Sequence, residues 1–129
     1  AIRTWIVEHP ESRRGWIGAL GDERIGPALC LIHREPARDW TVASLAEAAS
    51  MSRSAFSARF TELVGESAMQ YVTRWRMHVA GAWLRDTDMT ASECGAKLGY
   101  NSEAAFSRAF KRVMEMPPGE WKRSATGVA

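Results

Sequence analysis

The sequence predicts an all-α fold in which a unit of short helix, tight turn and longer helix occurs twice, joined by one long helix. Two observations carry that expectation. SMSRSAFSARF, Ser50 to Phe60, is nearly restated in GYNSEAAFSRAFKR, Gly99 to Arg112, and overlaying the two pairs Phe56 with Phe106, Phe60 with Phe110 and Tyr71 with Trp121 at one constant offset of 50. The helices so implied also begin on residues suited to cap them: Thr41, Ser52, Ser67, Thr90 and Ser102.

Residues 1–21 read as a helical tail of a preceding domain or a linker, with short helices at about Ile2 to Glu8 and Ser12 to Leu20, broken at His9-Pro10. Residues 22–66 form the first unit. Asp22 caps a helix through about Arg34 with Ile25, Leu29 and Ile32 on one side, and Pro36 ends it. Thr41 opens the next, Trp40 stapling against Leu45, and Leu45, Ala46 and Ala49 give its apolar edge. Ser52 opens a third, whose buried stripe is Phe56, Phe60, Leu63 and Val64 and whose stop is Gly65.

Residues 67–87 are expected to be a linker helix, about Ala68 to Asp86, started by a capping box of Ser67 with Gln70. Its inward face reads Met69, Val72, Arg76, Val79, Trp83, which points Arg76 inward, where it needs a carboxylate and several carbonyls. Gly81 marks a place where another backbone comes close. The second unit is 88–123: a capping box of Thr90 with Glu93 and a staple of Met89 with Cys94 open a helix about Ala91 to Leu98, and Gly99 turns the chain. A helix of about Ser102 to Met114 follows, then Pro117-Pro118 and a short helix through Trp121, with 124–129 frayed.

Composition narrows the classes of function. At 46% hydrophobic residues the 129-residue chain can bury an ordinary core, and its lack of a bilayer-length apolar run or a signal peptide makes it read as soluble and cytoplasmic, with no membrane partner. Its start at Ala1, without Met, is compatible with the tail of a longer protein. Cys30 and Cys94 suit two reduced, buried thiols, and His9, His33 and His78 stand without ligand spacing, so neither a metal nor another cofactor is expected. The net charge is only +2, but residues 51–129 hold eleven Lys/Arg against eight Asp/Glu, and 1–50 six against seven. That weakly favours a polyanionic partner for the repeated part.

A helix of about eight residues, a turn of three or four and a longer helix is the helix-turn-helix pattern, so the fold class is two helix-turn-helix subdomains joined by a long linker helix. The pattern needs a small residue where the helices cross, supplied by Ala46 and Gly95, and a turn residue tolerant of positive φ, which Gly99 is and Ser50 is not. RWRMHVAGAWLRDTDMTASECGAKLGYNSEAAFSRAFKRVMEMPPGEW, Arg74 to Trp121, resembles the signature segment of the AraC/XylS family of bacterial transcription regulators, and the resemblance covers about Ile25 to Arg123. It departs at Ser50 and Glu115, where a Gly is usual, and at Gly95, where an Ala is usual. RRGW, Arg13 to Trp16, resembles the end of the cupin-like sensor domain found in one branch of that family.

The resemblance implies a partnership with promoter DNA, with RNA polymerase and with an N-terminal sensor domain, a nucleoid location, and no catalysis. A linker of 19 residues, about 28 Å at about 1.5 Å per residue, suits two helices in successive major grooves about 34 Å apart. On helix-face geometry, the residues turned away from the Phe stripes are Arg53, Ser54, Ser57 and Ala58 in the first copy and Glu103, Ala104, Ser107 and Arg108 in the second, and these also match the family's base-reading positions. Arg108 suits guanine O6 and N7, whereas Glu103 either accepts from cytosine N4 or complements the helix N-terminus. Ser52, Arg59, Arg74, Ser102, Lys111 and Arg112 are expected phosphate contacts; Ala46, Phe56, Phe60, Arg76, Gly95, Gly99, Phe106 and Phe110 are structural. Two other classes compete: a helical module that binds protein, and a domain associated with DNA-alkyl repair, which needs an activated thiolate that neither cysteine has in sequence.

Overall fold

A computed structural model of the chain describes residues 19–125, so the helix expected at about Ile2 to Glu8, nearly all of that expected at Ser12 to Leu20, and residues 126–129 lie outside the described residues. Among the described residues there is no strand. The helices are α1 (Ile25–Arg34), α2 (Val42–Ala48), α3 (Arg53–Val64), α4 (Ala68–Asp86), α5 (Ala91–Lys97), α6 (Glu103–Met114) and α7 (Pro118–Ala125). The chain divides into two compact units: residues to Glu35 with Asp39–Val72, and Pro36–Arg38 with residues from Thr73 onward.

In the first unit Asp22 Oδ1 accepts the N–H of Arg24 and of Ile25, both at 3.0 Å, fixing the start of α1. Ile25, Ala28, Leu29 and Ile32 are then buried, with Leu45 and Ala46 of α2 and Phe56 and Phe60 of α3. Thr41 Oγ1 accepts from Ser44 N at 3.0 Å while Ser44 Oγ accepts from Thr41 N at 2.9 Å, a capping box closed by a serine. Phe56, Phe60 and Tyr71 form an aromatic ladder with ring centroids 5.6 and 5.8 Å apart. Its last member, Tyr71, bonds through its hydroxyl to His33 Nε2.

The second unit is built the same way. Glu93 and Thr90 exchange capping bonds of 3.1 Å each. Phe106, Phe110 and Trp121 form the matching ladder, 5.8 and 5.9 Å between centroids, and Trp121 Nε1 donates to Gly81 O at 3.0 Å. Met77, Ala80, Leu84, Cys94, Leu98, Phe106, Ala109 and Phe110 make one core cluster. Lys122 donates from Nζ to the carbonyls of Leu84, Thr87 and Met89 at 3.0 to 3.2 Å, satisfying the C-terminal end of α4 and anchoring α7.

Several expectations need correction. On α4, Val72 is buried and Trp83 packs partly buried against the second core, but Met69, Arg76 and Val79 are only half-buried; the buried positions are 68, 71, 72 and 75, then 77, 80, 81 and 84. The helix closes the first repeat and opens the second, so its stripe changes phase between Trp75 and Met77, and a single period averages the two. Arg76 is half-buried and donates to the carbonyls of Pro36 (2.8 Å) and Arg38 (2.7 Å), with no described carboxylate beside it. Gly81 makes room for side chains, not backbone: a Cβ there would sit 3.2 Å from Trp121 Cζ2 and from Met114 Cε. Cys30 is exposed, because the inward stripe of α1 runs through its neighbours; Cys94 is buried as expected. The last helix continues past Trp121 to Ala125, held by Lys122.

Backbone strain falls once in each repeat. Ser50 (φ 57°) and Gly99 (φ 88°) occupy equivalent turns, and Gly65 (φ 93°) and Glu115 (φ 69°) the equivalent ends of α3 and α6. A side chain in the left-handed region costs about 1–2 kcal/mol, part of which glycine returns as unfolded-state entropy. Ser50→Gly and Glu115→Gly are therefore expected to stabilise by about 0.5–1 kcal/mol each in urea denaturation, and Gly99→Ala to destabilise by a similar amount. Opposite signs would contradict the assigned conformations.

Candidate nucleic-acid interface

The turns that aim α3 and α6 are built from the same hydrogen bonds. Met51 N donates to Ala46 O and Tyr100 N to Gly95 O, both at 2.9 Å, which makes these residues equivalent at an offset of 49. The caps that follow, Ser52 on Ala55 N (3.2 Å) and Ser102 on Ala105 N (3.0 Å), are offset by 50, so Asn101 is an extra residue in the second turn. At Gly95 the helices approach closely: a Cβ there would lie 2.9 Å from Phe106 Cβ, which explains glycine at this crossing.

With Phe56 and Phe60 buried, Arg53, Ser54 and Ala58 of α3 are exposed and Ser57 half-buried. On α6, Glu103, Ala104 and Arg108 are exposed and Ser107 half-buried opposite Phe106 and Phe110. Each unit thus presents the expected reading residues together on one helix. The other expected contacts divide. Lys111 and Arg112 are exposed. Ser52 and Ser102 spend their hydroxyls on caps, and Arg74 is half-buried.

Arg59 is already engaged: its Nε donates to Asp22 Oδ2 at 3.0 Å and its terminal NH2 group donates to the same oxygen. The Ile25 N–H, the Arg59 guanidinium and the Arg24 N–H together hold the Asp22 carboxyl at about 2. A phosphate at Arg59 has to compete with this pair.

In the second unit a concavity of about 350 Å³ is lined by Thr73, Arg76, Tyr100, Arg108 and Arg112 among others. Tyr100 packs edge-on against Phe106 at 5.7 Å, and burial raises its phenol while the charges of Arg76 and Arg112 draw it back. Sequence reasoning missed Thr73 and Tyr100 here, as it missed Lys122. No metal-ligating cluster of three or more His, Cys, Asp or Glu occurs among the described residues, and no described helix is long and apolar enough to cross a membrane.

Two copies of a helix-turn-helix, each with the polar face of its second helix open, define a tandem helix-turn-helix domain. Residues 45–124 match a family profile described as a helix-turn-helix domain, and the chain belongs to that family, in its AraC type. An AraC-like transcription regulator of Streptomyces lividans is 42% identical over 125 residues, 97% of this chain and 41% of that protein. The chain spans about two fifths of the length of such curated relatives. Among solved structures, the C-terminal domain of AraT, a response regulator from Geobacillus stearothermophilus, is 28% identical with a TM-score of 0.71, covering 75% of this chain and 81% of that one. The DNA-binding domain of AdpA, in complex with a target DNA, shares the fold with a TM-score of 0.77 at 23% identity, covering 82% of this chain and 96% of that one.

Proposed function

We propose that the chain is the DNA-binding part of a bacterial transcription regulator that reads double-stranded promoter sequence through α3 and α6, in successive major grooves, without catalysis. The observation that carries this reading is the duplicated helix whose exposed face lies opposite a buried Phe pair, in a chain of this family. Arg53, Ser54, Ser57 and Ala58 of the first copy can offer a base edge one guanidinium, two hydroxyls and a methyl, so Glu103 and Arg108 of the second carry the sharper choice, with Ala104 and Ser107 beside them. Ser52, Arg74, Ser102, Lys111 and Arg112 serve the backbone, and Arg59 does so only by giving up Asp22. RNA polymerase and a sensor domain, of the cupin-like kind that RRGW resembles, are the partners of the longer protein, and a nucleoid location follows from DNA binding. The length of the relatives leaves room for such a sensor domain.

Selection from random duplexes followed by gel-shift titration tests this. Affinity for the selected site should fall with salt at a log-log slope of about −0.9 per phosphate neutralised. Arg108→Ala should cost about 1–3 kcal/mol on the selected site and relax one base pair, whereas Lys111→Ala should weaken all duplexes alike and reduce the slope by about one phosphate. Failure to enrich any sequence, or a salt-independent interaction, would refute the reading.

A further inference from the structure

The duplication exposes a difference between the repeats. Ile25, Ala28, Leu29 and Ile32 of α1 correspond to Met77, Ala80, Gly81 and Leu84 of α4, each 52 positions on, all buried. That register places Arg24 on Arg76 and Asp22 on Arg74, while the turn register places Ser50 on Gly99 and Met51 on Tyr100. The two copies therefore carry concavities at corresponding places: the first is lined by Gly21, Asp22, Glu23, Arg24, Met51 and Arg59, the second by Arg76, Tyr100, Arg108 and Arg112 with Thr73 among others.

Their charges are balanced differently. In the first copy the wall contains its own anion, since Asp22 accepts both bonds from Arg59 while Arg24 donates to Ser50 O at 3.3 Å. In the second, no carboxylate lines the concavity among the described residues. Arg76 is held in place by the carbonyls of Pro36 and Arg38, which take two of its five N–H donors. Arg108 and Arg112, one helical turn apart on α6, have no hydrogen-bond or ion-pair partner among the described residues. Three guanidiniums around one hollow favour an anion there, and planar forks with a hydroxyl and a phenol nearby match the oxygens of a phosphate.

We propose that this concavity is a phosphate site, in which Arg76 and Arg112 grip the phosphate oxygens, Thr73 and Tyr100 donate hydroxyls, and Arg108 adds its charge at the same hollow. The phosphate comes from a duplex backbone or from a free phosphate-bearing molecule. Only the first source rests on the DNA-binding reading.

Titrating the chain with inorganic phosphate at constant ionic strength, while following the Arg Nε and Tyr100 ring resonances by NMR, tests the site. The expected result is a saturable shift at Arg112 and Tyr100, at least ten-fold weaker in affinity in Arg112→Gln and retained in Arg85→Gln, with circular dichroism confirming that both variants fold. No saturable shift, the same shift with chloride alone, or a shift surviving in Arg112→Gln would overturn the proposal. Adding a selected duplex to the phosphate-loaded chain separates the sources: displacement of phosphate assigns the hollow to the DNA backbone, and a ternary complex assigns it to a free molecule. A chain that takes phosphate but shifts no duplex would keep the site and remove the DNA reading.

Discussion

Replacing Phe110 by alanine is expected to cost about 3–5 kcal/mol, a large share of the stability of a domain this size. The side chain is fully buried and sits in the middle of the ladder, with Phe106 on one side at 5.8 Å and Trp121 on the other at 5.9 Å. Its loss therefore leaves a cavity between two large rings that are each held elsewhere: Phe106 against Tyr100, and Trp121 by its bond to Gly81 O. Neither can collapse into the space without giving up those contacts, which places the cost toward the upper part of the range. Urea denaturation followed by tryptophan fluorescence measures it. A loss below about 1 kcal/mol would mean that the ladder repacks and that its geometry does not hold α6 in place.

Acid is expected to weaken the first unit in two stages, the larger due to His33. Burial holds its imidazole at about 4 against an ordinary 6.5, and its Nε2 bonds to the Tyr71 hydroxyl. The unfolded chain takes up this proton as pH falls through about 6.5, while the folded chain refuses it until about 4. The His33 contribution is thus whole above about 6.5, is lost progressively between about 6.5 and 4, and amounts to about 3 kcal/mol at about 1.4 kcal/mol per pH unit. Asp22, held at about 2 against an ordinary 3.8, has the opposite chemistry and the same direction: its contribution is present above about 4 and disappears as pH falls toward 2. Stability measured in urea from pH 7.5 to 4.5 should fall for the natural chain and stay nearly level in His33→Gln. Equal slopes in both would assign the acid sensitivity to other groups.

What the sequence made legible was local. Caps at Thr41, Ser52, Ser67, Thr90 and Ser102 act within three residues, so Ser67 and Gln70 can be paired by spacing alone, and their bonds are present at 3.1 and 3.2 Å. The Phe pairs at i, i+4 fixed which face of α3 and α6 is buried, and hence which faces are left open for the proposed reading residues. Contacts that close over long separations were hidden. Asp22 meets Arg59 across 37 residues, Arg76 meets Pro36 across 40 and Lys122 reaches Leu84 across 38, and nothing in their neighbours marks the pairing. The burial of α4 was misread because two cores draw on one helix.

That sharing bears on any attempt to separate the halves. A fragment stopped after Trp75 keeps Tyr71 for its ladder and the first buried stripe of α4, but a fragment begun after Asp86 has lost Met77, Ala80 and Leu84, three walls of its interior, together with the carbonyl that receives Trp121. Autonomy is therefore expected to be unequal: the leading segment, which has α1 to complete its core, should tolerate a break within α4, whereas the trailing one must carry that helix with it, so a cut in the loop beyond Asp86 should leave the second half without part of its interior.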